Sequence, residues 1–486
     1  MKKQKLLLLA LGIACTTVGM QESMAQKGPE NGTWSLQEAI NYAIQNNLRV
    51  KQAKVSKDIA DVNLKQSRFG LLPNINGSGT HTYNYGSSVD PLTSEFRTQQ
   101  IRSNNFSVSS TVPLFQGFQQ QNQVKQNRLL AQASSNDVDA MQNDVILQVI
   151  TSYLNVLFAN ELLKTAELQR ASTEQQLKRT QILYKAGSVA QTNVLELEAQ
   201  FASDELNVIN AQNQIDIAKL NLIQLLDLDN PEKFEIQIPQ IPEPTLDPVA
   251  ISPNQVYDVA VQTLPDIQSA DLRVRSAEVG VAIARGAYYP RFNFGAGIFT
   301  GYSSARLSPV ATQIEGAFQR QTLGFQNPDG TNPLVVYFPE STRGEYTFSD
   351  QLDDNLGKQL QFSLQVPIFN GLATRSAVQR AKLNQQNAQL NAELERNTLR
   401  QTIEQAAADA MAAHKKYVAS KRQVASLEQG YRNAELRLNS GVINTVDFNV
   451  IANNYRRAQS DLIQAKYDYF FKLKVLDFYQ GKDISF

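Results

Sequence analysis

The sequence predicts a mainly helical protein, built twice over, with four amphipathic strands set among very long helices. Three observations predict it. Two stretches of roughly 70 residues run without proline, the first of them without glycine as well. The chain repeats its own landmarks in order and spacing. Short period-two alternations stand at matching places in the two halves.

Composition narrows the function before any element is placed. The 486 residues carry 46 Lys plus Arg and 46 Asp plus Glu, a formal net charge of zero. That argues against a nucleic-acid partner held by a basic surface. Two His and one Cys in the whole chain argue against a Cys/His zinc site and a Ser/His/Asp triad, so no metal, cofactor or catalytic residue is expected.

The first element, residues 1–25, reads as a signal peptide. Lys2, Lys3 and Lys5 precede an apolar run, Leu6 to Ala14, too short to span a bilayer. Ser23-Met24-Ala25 then offers small residues at a cleavage site. The alternative is lipidation of Cys15, although Gly12-Ile13-Ala14 lacks the expected Leu. No later stretch is 18 consecutive apolar residues, so membrane insertion requires a β-barrel.

The duplication sets the remaining order. The segment from Ser35 lies opposite that from Ser252 at an offset of 217, through Ala43/Ala260 and Ala53/Ala270 to Pro73/Pro290. Val112-Pro-Leu-Phe-Gln-Gly117 lies opposite Val366-Pro-Ile-Phe-Asn-Gly371 at an offset of 254, which persists to Gly187/Gly441. The difference between the offsets is a 37-residue insertion in the second half (254 − 217). It falls within Ser303 to Leu356 and is expected to be an extracellular loop, with turn signals at Asn327-Pro328-Asp329-Gly330 and Asn332-Pro333. The chain therefore divides into a first repeat, 26–230, a connector, 231–253, and a second repeat, 254–486.

Each half reads helix, strand, loop, strand, long helix, turn, helix. One helix spans about 35–71. Strands are expected at roughly 74–86, 104–114, 290–303 and 358–369. Leu360, Phe362, Leu364, Val366 and Ile368, alternating with Gln359, Gln361, Ser363 and Gln365, show the pattern best. A long helix covers about 118–186, roughly 100 Å at 1.5 Å per residue. Its seam, Val145, Val149, Ser152, Val156, Ala159, Leu163 and Ala166, steps by 4 and 3. After the turn at Gly187, Val194, Leu197, Phe201, Asp204, Val208, Ala211, Ile215, Ala218, Leu222 and Leu225 continue the same spacing. Adding 254 yields Phe448 to Tyr479 in the same register. A 3.5-residue repeat of this kind packs neighbouring helices left-handed. Six Pro in the connector, with Phe234, Ile236 and Ile238 alternating, predict an extended strap on the outside.

The duplication, the P-[LI]-F-x-G junctions (Pro113 to Gly117, Pro367 to Gly371), the tip glycines Gly187 and Gly441, and the opening Trp34-Ser35-Leu36 resemble the TolC-like outer-membrane efflux proteins. The resemblance covers essentially the whole mature chain. It implies a homotrimer in which four strands per subunit share one outer-membrane β-barrel. It also implies a periplasmic α-barrel of duplicated long helical hairpins. The implied function is a passive, non-enzymatic export conduit of a tripartite efflux or type I secretion system. An inner-membrane transporter would drive it through a periplasmic adaptor protein, with outer-membrane lipid around the barrel. Part of this follows without the resemblance, since four strands cannot close a transmembrane barrel and known bacterial single-chain barrels have at least eight.

The resemblance also implies where the periplasmic gate lies. Asp447 matches the family's first gate aspartate, six residues after Gly441. Thr192 matches its counterpart, and Asn193 occupies an acidic position of the first tip. The second acidic position is Val450 and the linking Arg position is Ile443, so an Arg–Asp latch is not expected. Tyr184, Gly187, Leu438 and Gly441 are the expected tip and adaptor-contact residues. Asp447 also reads as a first-turn Asp favoured by the helix dipole, and Gly187 and Gly441 as left-handed helix caps. Two rival classes are an enzyme, for which His81 and His414 form no constellation, and a soluble periplasmic coiled-coil scaffold.

Overall fold

A computed structural model describes residues 33–89, 96–228, 234–239, 243, 252–308, 311–325 and 333–482. The expected signal peptide with Cys15, most of the connector and the Asn327–Asn332 turn signals lie outside the described residues. In chain order the first half holds β1 (Thr33–Trp34), α1 (Leu36–Asn46), α2 (Leu48–Phe69), β2 (Asn74–Val89), β3 (Phe96–Gln116), α3 (Gln119–Lys185) and α4 (Gln191–Leu226). Then follow β4 (Glu235–Ile236), α5 (Pro253–Thr263), α6 (Pro265–Gly286), β5 (Arg291–Ser303), β6 (Ala311–Phe325) and β7 (Pro333–Arg343). The last elements are α7 (Phe348–Asp354), β8 (Gly357–Gln365), α8 (Ala373–Asn439) and α9 (Thr445–Tyr479). The chain forms two units, one from residues up to 54, 138–264 and 398 onward, the other from 55–137 and 265–397.

The single helix expected over 35–71 is two. Ser35 caps α1 in a reciprocal box with Glu38. Asn47 then ends α1, donating its side-chain amide to Leu225 O at 2.9 Å and accepting from Arg49 N at 2.9 Å, which starts α2. The second half breaks at the matching residue, Leu264, where Pro265 disfavours helix in the residue before it and opens α6.

The second unit holds a four-stranded antiparallel sheet in the order β2-β3-β5-β8. Its register carries the duplication. Asn74 faces Thr111 across β2–β3. Moved by 217 and 254, these positions become Arg291 and Gln365, which face each other across β5–β8. β3 starts at Phe96, earlier than expected, because ladder pairing with β2 continues through residues that do not alternate in polarity. β8 stops at Gln365, since Pro367 cannot donate to a ladder. In β3 the equivalent Pro113 sits at a bulge.

The sheet has two unlike faces. Phe292, Phe294, Ala296 and Ile298 share one with Leu360, Phe362, Leu364, Val108 and Val112. The Phe362 ring lies 4.9 Å from Phe294 and 6.1 Å from Phe292. The other face carries Asn76, Ser78, Thr80, Ser107, Ser109, Thr111, Gly295, Gly297, Gln359, Gln361 and Ser363. Helices join all four strands at one end: α2 and α6 enter there, α3 and α8 leave. Each exit is a left-handed pair, Gly117–Phe118 and Gly371–Leu372, with φ between 60° and 63°. Gly117 packs so closely on Gly286 that a Cβ would stand 2.2 Å from Gly286 O.

The insertion lies at the opposite end of the strands. It is not an irregular loop: β6 and β7 pair as a separate antiparallel ribbon, and α7 docks on β5. Val335-Val336-Tyr337-Phe338, β-branched and aromatic, favours the strand. Gln351, 1% exposed, donates to Ser303 O and Tyr346 O and accepts from Ser303 N, which fixes α7 in place.

In the first unit every position of the expected α4 and α9 seams is buried or half-buried. Val145, Val149 and Val156 of the α3 seam join Trp34, Leu36, Ile40, Leu222 and Leu226 in one core. Tyr153 Oη lies between Trp34 O (3.1 Å) and Gln237 O (2.5 Å), tying α3 to the short parallel pair β1–β4. The connector corrects one expectation. Its described part is extended, but Phe234 and Ile236 are buried beside Trp34 rather than left outside. By length and composition α3 is the one described helix able to cross a membrane, yet its apolar residues Val145 to Leu157 form this core.

Candidate gate at the helical hairpin tips

The two hairpin tips are built from matching turns. At the first, Gly187 takes φ +76°, its N–H donates to Tyr184 O at 2.9 Å, and Ser188 N donates to Leu183 O at 2.9 Å. At the second, Gly441 takes φ +69°, Gly441 N donates to Leu438 O at 3.0 Å, and Val442 N to Arg437 O at 2.8 Å. Both are Schellman caps that satisfy the last carbonyls of α3 and α8. A Cβ on either glycine would meet nothing within 4 Å, so the conformation, not space, requires glycine.

The helices that leave the tips start differently. Ala190 precedes α4 without a side-chain cap, and Thr192 (exposed) and Asn193 (half-buried) lie in its first turn. Asn444 caps α9, its Oδ1 accepting from Asp447 N at 2.7 Å. That leaves the exposed Asp447 carboxylate in the first turn, where the helix dipole favours it. Leu438 packs with Phe448, Ala434 and Ala452 beneath the second tip, whereas Tyr184 is exposed on the first. Ile182, Leu195, Leu436, Val442 and Val450 add exposed apolar surface at the tips. Among the described residues no hydrogen bond or ion pair joins Asp447 to Thr192 or Asn193. Ile443 is part-buried against the Phe448 cluster, so this position contributes packing.

One further buried polar site lies away from the tips. Asp204 stands in the α4 seam, the one acid among its apolar positions, and is 2% exposed. Thr173 Oγ1 (2.6 Å), Gln200 Nε2 (2.9 Å) and Gln169 Nε2 (3.3 Å) donate to it, and Arg456 of α9 stands 3.9 Å away. The signal was present in the heptad itself. Of the histidines, His81 is on an exposed strand, and His414 is buried against Tyr469 with Nε2 lacking a partner.

Comparison with known proteins places this geometry. The family model described as outer membrane efflux protein matches residues 39–227 and 256–481. The outer membrane protein TolC of Escherichia coli K12 is 22% identical over 439 residues, 90% of this chain and 80% of that protein. TolC of Vibrio cholerae is 25% identical over 194 residues, and this match spans only 44% of that relative. The crystal structure of the Campylobacter jejuni CmeC outer membrane channel superposes with a TM-score of 0.71 at 17% identity, over 92% of this chain and 87% of that one. At that identity the likeness is one of fold: long helical hairpins combined with a few strands.

Proposed function

The chain belongs to the outer membrane efflux protein family, and on that premise we propose that three copies form one passive duct across the outer membrane and into the periplasm. The observation that carries this reading is the open sheet. Among the described residues β2 and β8 each have one edge without a neighbouring strand, and an exposed edge invites another chain. Three such sheets make a twelve-stranded barrel, wide enough for a bore. Its apolar face, around Phe294 and Phe362, meets lipid. Its polar and glycine face lines the lumen. A soluble scaffold would leave the apolar face in water.

The duplication also supplies the closure. Within the subunit Ser109 faces Gly297 across β3–β5. Moving Ser109 by 254 and Gly297 by −217 puts Ser363 of β8 opposite Thr80 of the partner subunit. The same shift places Gly371 against the Phe69–Gly70 turn of the partner subunit, in the role that Gly286 plays for Gly117.

Flow through the duct is driven from outside the chain. The sequence holds no GxxxxGK[ST] loop, so a separate inner-membrane transporter supplies the energy through a periplasmic adaptor protein. The tips meet that adaptor through Tyr184, Gly187, Leu438 and Gly441 and the exposed apolar side chains beside them. They narrow the bore through Asp447 on the second tip and Thr192 and Asn193 on the first. Three Asp447 carboxylates in one ring attract cations. The test is ion conductance of the purified protein in a lipid bilayer. The wild type should conduct with a cation preference that Asp447→Ala weakens. Conduction with selectivity and divalent block unchanged in Asp447→Ala would move the gate elsewhere, and no conduction by any preparation would overturn the duct.

A further inference from the structure

Asp204 is a carboxylate where the seam of α4 calls for an apolar side chain. Its donor Thr173 is itself only 1% exposed. Arg456, whose side chain is 15% exposed, is the only cation within ion-pair distance of Asp204 among the described residues. Asn453 Oδ1 accepts from Arg456 Nη1 at 3.0 Å and helps to hold it. Burial pushes the guanidinium below its ordinary range, and Asp204 offsets only part of that shift.

The duplication shows that the architecture does not need this cluster. At the offset of 254, Thr173 corresponds to Leu427 and Asp204 to Ala458, while Arg456 corresponds to Ala202. The buried Thr173 and Asp204 become apolar in the second hairpin, whereas Gln169 and Gln200 keep polar counterparts in Gln423 and Asn454. The cluster therefore occurs once per subunit, between α3, α4 and α9. Apolar seams tolerate small slides of one helix along another. A charged, hydrogen-bonded group at a seam position accepts one register only, at some cost in stability.

We propose that Asp204 and Arg456 are positioning residues of the gate: a pin that holds α9 in one register against the first hairpin, so that the tips keep their closed spacing. This rests on the duct reading above. Asp204 lies 13 residues after Gln191, the start of α4, which is about 20 Å of helix from the tip. A register change at the pin is thus delivered to the tip by stiff helix.

The experiment pairs conductance with distance. Asp204→Asn removes the charge at constant size. Asp204→Leu combined with Arg456→Leu replaces the whole pair by apolar side chains, a change that often leaves stability equal or higher. Both should raise resting conductance of the reconstituted trimer by roughly tenfold, the factor that about 1.4 kcal/mol represents. The double variant should keep the melting temperature of the trimer. Spin labels at Glu205→Cys and Asn454→Cys, both exposed, report the α4–α9 distance in detergent, with singly labelled controls because Cys15 is the one native cysteine. The distance distribution should be narrow in the wild type and broad in both variants. Unchanged conductance together with unchanged distances would overturn the pin. So would a double variant that behaves as wild type while Asp204→Asn merely fails to assemble, since that marks an unpaired buried charge and nothing more. Wild-type protein that does not conduct would sink the duct reading instead, and the label distances would still decide whether Asp204 and Arg456 set the register.

Discussion

An arginine at Phe362 should prevent insertion, whereas an arginine at the adjacent Gln361 should not. Phe362 lies near the middle of β8, on the apolar face, with its ring against Phe292 and Phe294. Gln361 points to the other face, opposite Gly295. A lipid-facing arginine near the bilayer midplane costs about 2–4 kcal/mol. Three copies in one ring bring this to about 6–12 kcal/mol per trimer, a large share of the stability of a protein. Losing the aromatic contacts adds about 0.5–1.5 kcal/mol per ring pair. The lumen substitution adds charge to a water-filled bore and loses no packing of this kind. The assay is the amount of trimer recovered from outer membranes, read on unheated gels and followed in urea. Phe362→Arg should yield little trimer and Gln361→Arg close to the wild-type amount. The reverse order would exchange the lipid and lumen faces. Equal yields would take this sheet out of the membrane.

Gly117→Ala forces a Cβ onto Gly286 O and a left-handed conformation onto Ala, and should cost about 2–5 kcal/mol. Gly371→Ala meets nothing within its own subunit, so a cost near 1–2 kcal/mol in the free subunit that rises to the Gly117 level in the trimer is the signature of the partner subunit packing there. Melting of assembled and dissociated protein separates the two. Burial pushes the Tyr467 phenol up to about 12, with Glu161 adding to the shift. Because the unfolded phenol ionises near 10, its contribution is present below that pH and is lost as the pH rises toward 12. Tyr467→Phe should flatten that alkaline loss in a denaturation series, and an identical profile would show that the phenol stays out of the balance.

Much of this architecture is legible in the residues because the architecture is periodic. A helix of 67 residues announces itself by the absence of Pro and Gly from Phe118 to Ala186, and the structure ends it at Lys185. The offsets 217 and 254 anticipate even the strand register, since Asn74/Thr111 and Arg291/Gln365 are the same pair twice. Local hydrogen bonding is less legible. Asn47 breaks the first helix through a side-chain bond to Leu225, 178 residues away, which no window of sequence contains. The outer half of β3 pairs with β2 without an alternating pattern, so backbone pairing alone defines it. Phe234 and Ile236 alternate as an external strap would, and it is Trp34 and Tyr153, distant in sequence, that bury them. At the tips, glycine geometry could be read directly, because a left-handed cap has few alternatives. The charge network at Asp204 could not, because a heptad reveals a misfit residue and not its partners.

The central claim, that three open sheets close into one barrel, is tested most directly by joining β8 of one subunit to β2 of the next. Cysteines at Ser363 and Thr80 both point into the proposed lumen, directly opposite each other in the register that the duplication supplies, within the 4.5–5.5 Å Cβ spacing of facing strand residues. Oxidation of outer membranes should give covalent trimers with this pair. The pair Ser363→Cys with Ser78→Cys, displaced by two residues on the same face, is about 7–8 Å apart and should link poorly. Efficient trimers with Ser78 and none with Thr80 would contradict the register, and no covalent trimer from either pair would contradict the shared barrel itself.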